Sequence, residues 1–391
     1  MVKSIDKKIY ILEDVFPHPY SINSWRGLEL IAHLNAFSSA HIITTLSSIN
    51  LLGVDITKDD ILSQFNAKYP DLGSRVEYKE CISASDIEEG SLIYTIFLNN
   101  IYNYLNIIEQ KRCPFIFELY PGGGFAINNE VSDKKLHQVI SSPFFKGIIV
   151  SNNVTYQYLK QKKWCPDTQI LYVPGCVVDT NITPKNMPQK RYPQDKSHFD
   201  IAFVAYRYSE HGEDKGYDIF VNVAKELHKL SNSFTFHVVG SFDENTIDVA
   251  ELHDKIHFYG VHDINWFNEF YPQIDIILSP NRPFYLGKGF FDGFPTGCAV
   301  DAILRKVVLI ASDELHQNVN MFKNGEDVLI VKNDINIIID RILFLQKFPD
   351  ELSRLAINGC NRAHTIYSEY HQLKPRIDLL QKVLQKINVE V

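Results

Sequence analysis

Short apolar runs alternate with amphipathic stretches along most of the chain. Runs of this kind, bounded by glycine or polar residues, are typical of buried parallel strands, and apolar residues three or four positions apart predict helices. The predicted strands are 9–12, 41–45, 92–98, 114–119, 147–151, 169–173, 200–205, 234–239, 255–259, 274–279, 306–311 and 327–331. The predicted helices are 25–37, 156–160, 218–230, 266–270, 299–304, 335–345, 351–362 and 370–387. Residues 55–90 are more polar, and the pattern assigns them no element.

The alternation is interrupted once, at residues 181–198, which are polar and contain three prolines. This composition predicts a linker between two domains. The first domain would cover 1–180 and the second 199–366, with a last helix in 367–391 that packs back on the first domain. Successive strands and helices in both halves predict the α/β class, with two Rossmann-like domains that each contain a parallel sheet.

Composition narrows the function class. The chain has 391 residues, of which 45% are hydrophobic, enough for two large cores. The net charge is −8 and no basic tract is present, which argues against a nucleic-acid partner. No apolar run is long enough to span a bilayer. We therefore expect a cytoplasmic protein, with a peripheral contact at the inner face of the membrane left open.

Residues that commonly bind metals are scattered along the chain. The six cysteines form no C-x-x-C pair, which argues against a zinc site or a redox dithiol and favours free thiols in a reducing compartment. No Asp-x-Asp motif or histidine cluster stands out. The sequence therefore predicts no metal and no resident cofactor.

The strongest candidate site is the glycine-rich stretch 289–302, between the predicted strand 274–279 and the helix that follows it. In open α/β sheets, ligands bind at the carboxyl ends of the strands, and the free amides of a helix start favour an anion such as phosphate. Asp292 precedes the turn and Asp301 lies about one turn into the helix. Since a carboxylate accepts two hydroxyl hydrogens, Asp301 suits a ribose. The alternative is a loop with two solvated aspartates.

The turn itself would supply further contacts to a sugar nucleotide. Five consecutive residues are candidates for this binding role, namely Gly293, Phe294, Pro295, Thr296 and Gly297.

Two cations are expected at the same edge of the second sheet. Arg207 follows the strand 200–205, and Lys215 with Gly216 opens the next helix. Two fixed positive charges beside a helix start would bind a diphosphate and stabilise the charge that develops on a leaving nucleotide. The alternative is a surface ion pair with a neighbouring acid.

The first domain offers weaker candidates for an acceptor-binding role. His18 lies in the loop after the first strand, and Gly122, Gly123 and Gly124 follow the strand 114–119. A solvated histidine and a tight glycine turn are equally consistent with these positions. The glycines do not form a G-x-G-x-x-G fingerprint, so a dinucleotide site is not favoured.

Several stretches of the second domain together resemble the retaining glycosyltransferase family four, also called glycosyl transferases group 1. These stretches are 203–208, 214–218, 238–240, 256–260, 275–281 and 292–302. The resemblance implies a GT-B fold, in which two Rossmann-like domains face a central cleft. It also implies metal-independent transfer of a hexose, with retention, from a nucleotide diphosphate sugar bound mainly to the second domain. The acceptor would be a glycan or a lipid-linked sugar, and the pathway a bacterial surface polysaccharide.

The resemblance assigns Arg207, Lys215 and Asp292 to catalysis. The chain departs from the family pattern in two ways. Aspartate replaces the usual glutamate at both acidic positions, and Asp292 and Asp301 are nine positions apart, one more than is usual. Two alternatives therefore stay open: a GT-B nucleotide-sugar epimerase, which releases a free sugar, and a non-catalytic subunit that binds a sugar nucleotide or a glycan.

Overall fold

The structure, a computed structural model, describes residues 7–19, 24–49, 56–181 and 189–389. The chain divides into two compact units. Unit 1 combines Met1–Val177 with Glu369–Val391, and unit 2 is Val178–Ser368. Part of the predicted linker, 182–188, lies outside the described residues. Lys196, near the end of that linker, contacts the carboxylates of Asp200 and Asp275 in unit 2, at 2.5 and 2.8 Å.

Unit 1 is built on a seven-stranded sheet in the order β3-β2-β1-β4-β5-β6-β7, and every neighbouring pair is parallel. Its central strands β1, β4 and β5 are buried along their whole length, as is typical of parallel sheets. The strands are β1 (Ile9–Glu13), β2 (Ala40–Thr44), β3 (Val76–Tyr78), β4 (Leu92–Ile96), β5 (Phe115–Leu119), β6 (Phe145–Val150) and β7 (Ile170–Tyr172). The helices are α1 (Trp25–Ala36), α2 (Lys58–Lys68), α3 (Pro70–Gly73), α4 (Leu98–Gln110), α5 (Glu130–Ile140) and α6 (Asn153–Lys162).

Unit 2 carries a six-stranded parallel sheet in the order β10-β9-β8-β11-β12-β13. The strands are β8 (Phe199–Ala205), β9 (Phe234–Gly240), β10 (Ile256–Phe258), β11 (Ile276–Ser279), β12 (Val308–Ala311) and β13 (Leu329–Ile330). The helices are α7 (Tyr217–Leu230), α8 (Ile264–Phe270), α9 (Gly297–Leu304), α10 (Ile335–Lys347) and α11 (Pro349–Ile366). The strand order reverses between β8 and β11, which is where sheets of this kind bind their ligands.

The last helix, α12 (Glu369–Val389), returns to unit 1. It places the fully buried Arg376 against Glu118 of β5, with Nε 3.0 Å from Oε2 and Nη2 2.6 Å from Oε1. The same guanidinium lies 3.3 Å from Glu29 of α1. Burial raises the pKa of Glu118 to about 7, although Arg376 acts in the opposite direction. A buried cation shared by two carboxylates thus joins α12 to two other elements of unit 1.

The predicted fold class is confirmed, because every predicted strand corresponds to a strand of one of the two parallel sheets. The sequence did not predict β3 or the helices α2, α3, α4 and α5. The predicted strand 92–98 was too long, since β4 ends at Ile96 and α4 begins at Leu98. Within the described ranges, no helix has the length and apolar character needed to cross a membrane.

Candidate functional site

The glycine-rich stretch connects the carboxyl end of β11 to the start of α9, as the sequence predicted. The Phe294–Pro295 peptide bond is cis. Thr296 precedes α9, but its side chain makes no hydrogen bond to the free amides of the first turn. Gly293 has open space where a side chain would stand, with no heavy atom within 4 Å of an added Cβ. The turn therefore leaves room for a ligand at the start of α9.

Lys215 and Asp292 form the central contact of the site. The Lys215 ammonium lies 2.8 Å from Oδ1 and 2.7 Å from Oδ2 of Asp292, and Asn281 donates from Nδ2 to Oδ2 at 2.7 Å. Burial alone would lower the pKa of Lys215, but the Asp292 carboxylate raises it above its usual value. Lys215 is therefore held as a cation although the residue is only 8% exposed.

Gly216 allows α7 to begin beside β11. Its φ is +74°, a conformation that favours glycine, and an added Cβ would lie 2.1 Å from the carbonyl oxygen of Pro280. Pro280 directly follows β11, so this close approach brings the start of α7 next to the turn that carries Asp292. Lys215, Gly216 and Asp292 are thus gathered at one edge of the sheet.

Arg207 lies at the same carboxyl edge of the sheet but is not part of this contact. Its side chain is exposed, and Nη1 donates to the carbonyl oxygen of Glu210 at 3.1 Å. Its backbone amide donates to Ser241 Oγ, also at 3.1 Å. Lys215 is therefore paired with an acid. The Arg207 guanidinium instead bonds a carbonyl oxygen of its own loop and is accessible to solvent.

Asp301 lies in the second turn of α9, with 32% of its side-chain surface exposed. Burial raises its pKa to about 6, although the Arg305 guanidinium, with Nη1 3.9 Å from Oδ1, acts in the opposite direction. A carboxylate that is partly desolvated but still accessible can accept hydrogen bonds from the hydroxyls of a ligand.

The acceptor-side candidates lie in unit 1, and their role stays a prediction. His18 is fully buried, and burial lowers the pKa of its imidazole. Gly122, Gly123 and Gly124 all have positive φ. An added Cβ at Gly123 would lie 2.4 Å from the Phe97 ring, and one at Gly124 would lie 2.1 Å from Asn99 Oδ1. Close packing alone explains glycine at 123 and 124, whereas Gly122 has only its positive φ. The buried imidazole of His18 is not accessible to solvent.

Two residues to which the sequence had assigned no role also belong to the site. Asn281 bonds the carboxylate of Asp292, and Gln317 donates from Nε2 to its carbonyl oxygen at 2.8 Å. Asn281 lies two residues after the end of β11, and this position alone could have identified it as a candidate site residue. Gln317 is 25 positions beyond Asp292, and no pattern in the sequence connects the two. Among the residues that the structure describes, no group of three or more His, Cys, Asp or Glu side chains could hold a metal ion.

Comparison with known proteins agrees with this architecture. Residues 198–347 match the family model of glycosyl transferases group 1. That segment contains β8 to β13 and the candidate site residues of unit 2. No curated protein sequence matches the chain.

Solved structures are similar over nearly the whole length. HepE from Anabaena, crystallised with UDP, is 13% identical and has a TM-score of 0.64, with 97% of this chain and 100% of that chain covered. Sucrose-phosphate synthase from Thermosynechococcus elongatus is 13% identical, with a TM-score of 0.63 and coverage of 98% and 100%. A glycosyltransferase from Rickettsia africae is 14% identical, with a TM-score of 0.63 and coverage of 98% and 99%.

The resemblance predicted from the sequence is therefore confirmed: residues 198–347 match glycosyl transferases group 1, and the chain has the GT-B fold of these glycosyltransferases.

Proposed function

We propose that the protein is a glycosyltransferase that moves a sugar from a nucleotide diphosphate sugar to a glycan or another sugar acceptor. The observation that carries the proposal is the Lys215–Asp292 contact, which puts a buried cation at the start of α7 against a carboxylate in the turn that leads to α9. Both residues lie in the segment that matches glycosyl transferases group 1.

The cation would act on the leaving group. As the bond between the sugar C1 and the phosphate oxygen breaks, negative charge grows on the diphosphate. Lys215 is already charged and oriented, so it stabilises that charge without rearrangement. Arg207, which is exposed and bonded only weakly to a loop carbonyl, turns toward the diphosphate when the donor binds. The free amides at the starts of α7 and α9 add partial positive charge.

The two acids would have different tasks. Asp301 is accessible and lies in α9, so it binds the ribose hydroxyls of the donor. Asp292 lies in the turn and touches Lys215, so it faces the sugar and the bond that breaks. Gly293 through Gly297 line the path between them, with backbone amides available to the donor.

We propose that the reaction retains the configuration at C1. The acceptor oxygen bonds to C1 on the face from which the diphosphate departs, and the leaving phosphate oxygen takes the acceptor's proton. No protein nucleophile is then required. Lys215 and Arg207 supply the charge that a metal would otherwise provide, so the reaction is metal-independent.

The partners follow from the same scheme. The donor binds unit 2, and the acceptor, a glycan or a lipid-linked sugar, binds unit 1. A lipid-linked acceptor would bring a cytoplasmic enzyme to the inner face of the membrane as a peripheral protein.

The test is a thermal-shift screen with UDP, GDP, ADP and CMP, followed by turnover assays with the sugar conjugates of whichever nucleotide binds. Transfer to an added oligosaccharide, with the C1 configuration read by NMR, supports the proposal. Release of free sugar without any acceptor favours an epimerase, and binding without turnover favours a non-catalytic subunit. A protein that binds none of the four nucleotides contradicts the glycosyltransferase and the epimerase, and leaves only a subunit that binds a glycan.

A further inference from the structure

A small cavity lies beside Asp292 in unit 2. Its volume is about 30 Å³. A space of this size admits a water molecule or a single hydroxyl group. Its lining includes side chains that follow β11 and β12, among them Asn281, Asp292, Ser312, Asp313 and Gln317.

Gln317 is the unusual member of this lining. The residue is only 6% exposed, and its Nε2 donates to the Asp292 carbonyl oxygen at 2.8 Å. A carbonyl oxygen can only accept a hydrogen bond, so the amide nitrogen must face Asp292 and the oxygen must face away. That oxygen, Oε1, is buried and has no hydrogen-bond partner among the described residues. Buried acceptors without partners are rare, because each costs free energy.

The chemistry of Oε1 restricts what could bond to Gln317. An amide oxygen only accepts hydrogen bonds, so a phosphate or a carboxylate that carries no proton cannot be its partner. The Asp313 oxygens are themselves occupied, by the backbone amides of Gln317 at 2.8 Å and Asn318 at 2.9 Å. The missing partner of Oε1 must therefore be a small hydrogen-bond donor, and a hydroxyl fits both the space and the chemistry.

We propose that Gln317 recognises the sugar of the donor: its Oε1 accepts a hydrogen bond from one sugar hydroxyl that enters the cavity beside Asp292. This inference rests on the proposed function, which puts the donor sugar next to Asp292. Both polar atoms of the Gln317 amide then have a role. Nε2 holds the turn that carries Asp292, and Oε1 selects the sugar. The residue thus helps to decide which nucleotide sugar is used, and contributes little to binding of the nucleotide itself.

Calorimetry on Gln317→Met separates these two contributions. Methionine keeps the length of the side chain and removes the polar atoms. The probes are UDP and GDP and their glucose, galactose, N-acetylglucosamine and mannose conjugates. We expect the variant to bind the conjugate that the wild type prefers about tenfold more weakly, and the bare nucleotide within about twofold of the wild type. The matched control is Gln346→Met in α10, where Nε2 bonds Ser233 Oγ at 2.7 Å, and neither affinity should change there.

Equal losses for the conjugate and the bare nucleotide, or no loss for either, would overturn the inference and leave the proposed function standing. A wild-type protein that binds no nucleotide removes the proposed function itself, and with it this inference.

A second measurement starts from the wild-type protein and then compares it with Gln317→Met. Monodeoxy analogues of the preferred donor, each lacking one hydroxyl, are titrated into the wild-type protein. The wild-type protein should bind one analogue about tenfold more weakly than the parent donor. Gln317→Met should bind that analogue and the parent equally, because the variant cannot form the hydrogen bond with either molecule. If the cavity holds only a water, every analogue will lose the same factor in the variant as in the wild type, and the inference is wrong.

Discussion

The Lys215 ammonium bridges both carboxylate oxygens of Asp292, at 2.8 and 2.7 Å, across 77 positions of the chain. The two sides of this ion pair are unequally buried, since the side chain of Lys215 is 10% exposed and that of Asp292 is 35% exposed. Removing the acid therefore leaves a buried cation, whereas removing the lysine leaves a carboxylate that water can reach.

This asymmetry predicts the stabilities of three variants. Asp292→Asn should lower the free energy of unfolding by about 1 to 2 kcal/mol, less than for a fully buried pair because solvent screens the acid. Lys215→Met should cost less, and the double variant should be more stable than Asp292→Asn alone. Urea denaturation measures all three. Strictly additive losses would mean that the two charges do not interact. Turnover should be low in all three variants.

Arg207 tests whether an exposed residue of the site acts in catalysis. Arg207→Ala should leave the melting temperature unchanged, because the one hydrogen bond of the side chain to any residue that the structure describes is to the Glu210 carbonyl. If the guanidinium reaches the diphosphate, turnover should fall by about 30-fold or more, equivalent to about 2 kcal/mol of transition-state stabilisation. The control is Arg354→Ala on α11, which removes an exposed ion pair with Glu351 and should leave turnover unchanged. Wild-type turnover in Arg207→Ala would remove Arg207 from the site.

The raised pKa of Asp301, about 6, predicts how nucleotide binding depends on pH. A protonated carboxyl is a poorer acceptor for two ribose hydroxyls, so affinity for the nucleotide diphosphate should fall between pH 7 and pH 5. Asp301→Asn should bind more weakly than the wild type at pH 7, and Asp301→Ala more weakly still. The difference between wild type and Asp301→Asn should shrink toward pH 5. The wild type and Asp301→Asn are compared by calorimetry with the same nucleotide at each pH. The titration of the nucleotide phosphate affects both proteins equally and therefore cancels in the difference. Wild-type affinity in Asp301→Ala would contradict the ribose role.

The same pKa has the opposite consequence for stability. The folded protein binds the Asp301 proton more tightly than the unfolded chain does, because the pKa is raised from 3.8 to about 6. The contribution of this group to stability is therefore complete below the unfolded pKa, falls as pH rises toward the folded pKa, and is lost above it. Asp301→Asn should match the wild type in thermal unfolding only below the unfolded pKa, and should exceed it at neutral pH.

Gly216→Ala should be among the most damaging single-methyl substitutions in unit 2. It combines a positive φ with a Cβ 2.1 Å from the Pro280 carbonyl oxygen, so a loss of about 3 kcal/mol or more is expected in urea denaturation. Gly260→Ala is the matched control. Gly260 has a similar φ of +73° but no heavy atom within 4 Å of an added Cβ, so only the backbone cost of about 1 kcal/mol should appear. Equal losses at the two positions would show that the close approach is unimportant.

Metal independence is the last prediction. Turnover should stay within about twofold after exhaustive treatment with EDTA, because Lys215 and Arg207 supply the positive charge at the diphosphate. A rate that collapses in EDTA and recovers with Mg²⁺ or Mn²⁺ would show that a metal shares this task.

The sequence predicted the sheets better than the helices, for a physical reason. A strand buried on both faces is typically a continuous apolar run, and β11 and β12 are clear examples. In unit 1, α4 follows β4 after a single residue, Phe97, so the apolar run of the strand continues into the helix and conceals its start. The strand β3 has only three residues and no buried one, and therefore left no hydrophobic signal.

The sequence predicted where the site residues lie relative to the strands and helices, but not which of them are in contact. Lys215, Gly216 and Asp292 were expected at one edge of the sheet, because each lies at a strand end or a helix start. The direct contact between Lys215 and Asp292 depends on how closely α7 approaches β11. Gly216 permits this close approach, and the spacing of residues along the sequence does not predict it. Gln317 was missed because its relation to Asp292 exists only in the folded loop after β12.

The return of α12 to unit 1 also orders the events of synthesis on the ribosome. Unit 2 is a single continuous segment, Val178–Ser368, and can complete its core as soon as that segment has emerged. Unit 1 cannot complete its core at that stage, because Glu29 and Glu118 pair with Arg376. Arg376 is synthesised 258 positions after Glu118. Until then, two carboxylates in a nearly finished core lack the cation that neutralises them. The half of the protein made first is therefore the half that matures last, and a released chain that ends before residue 376 would combine a folded unit 2 with an incomplete unit 1.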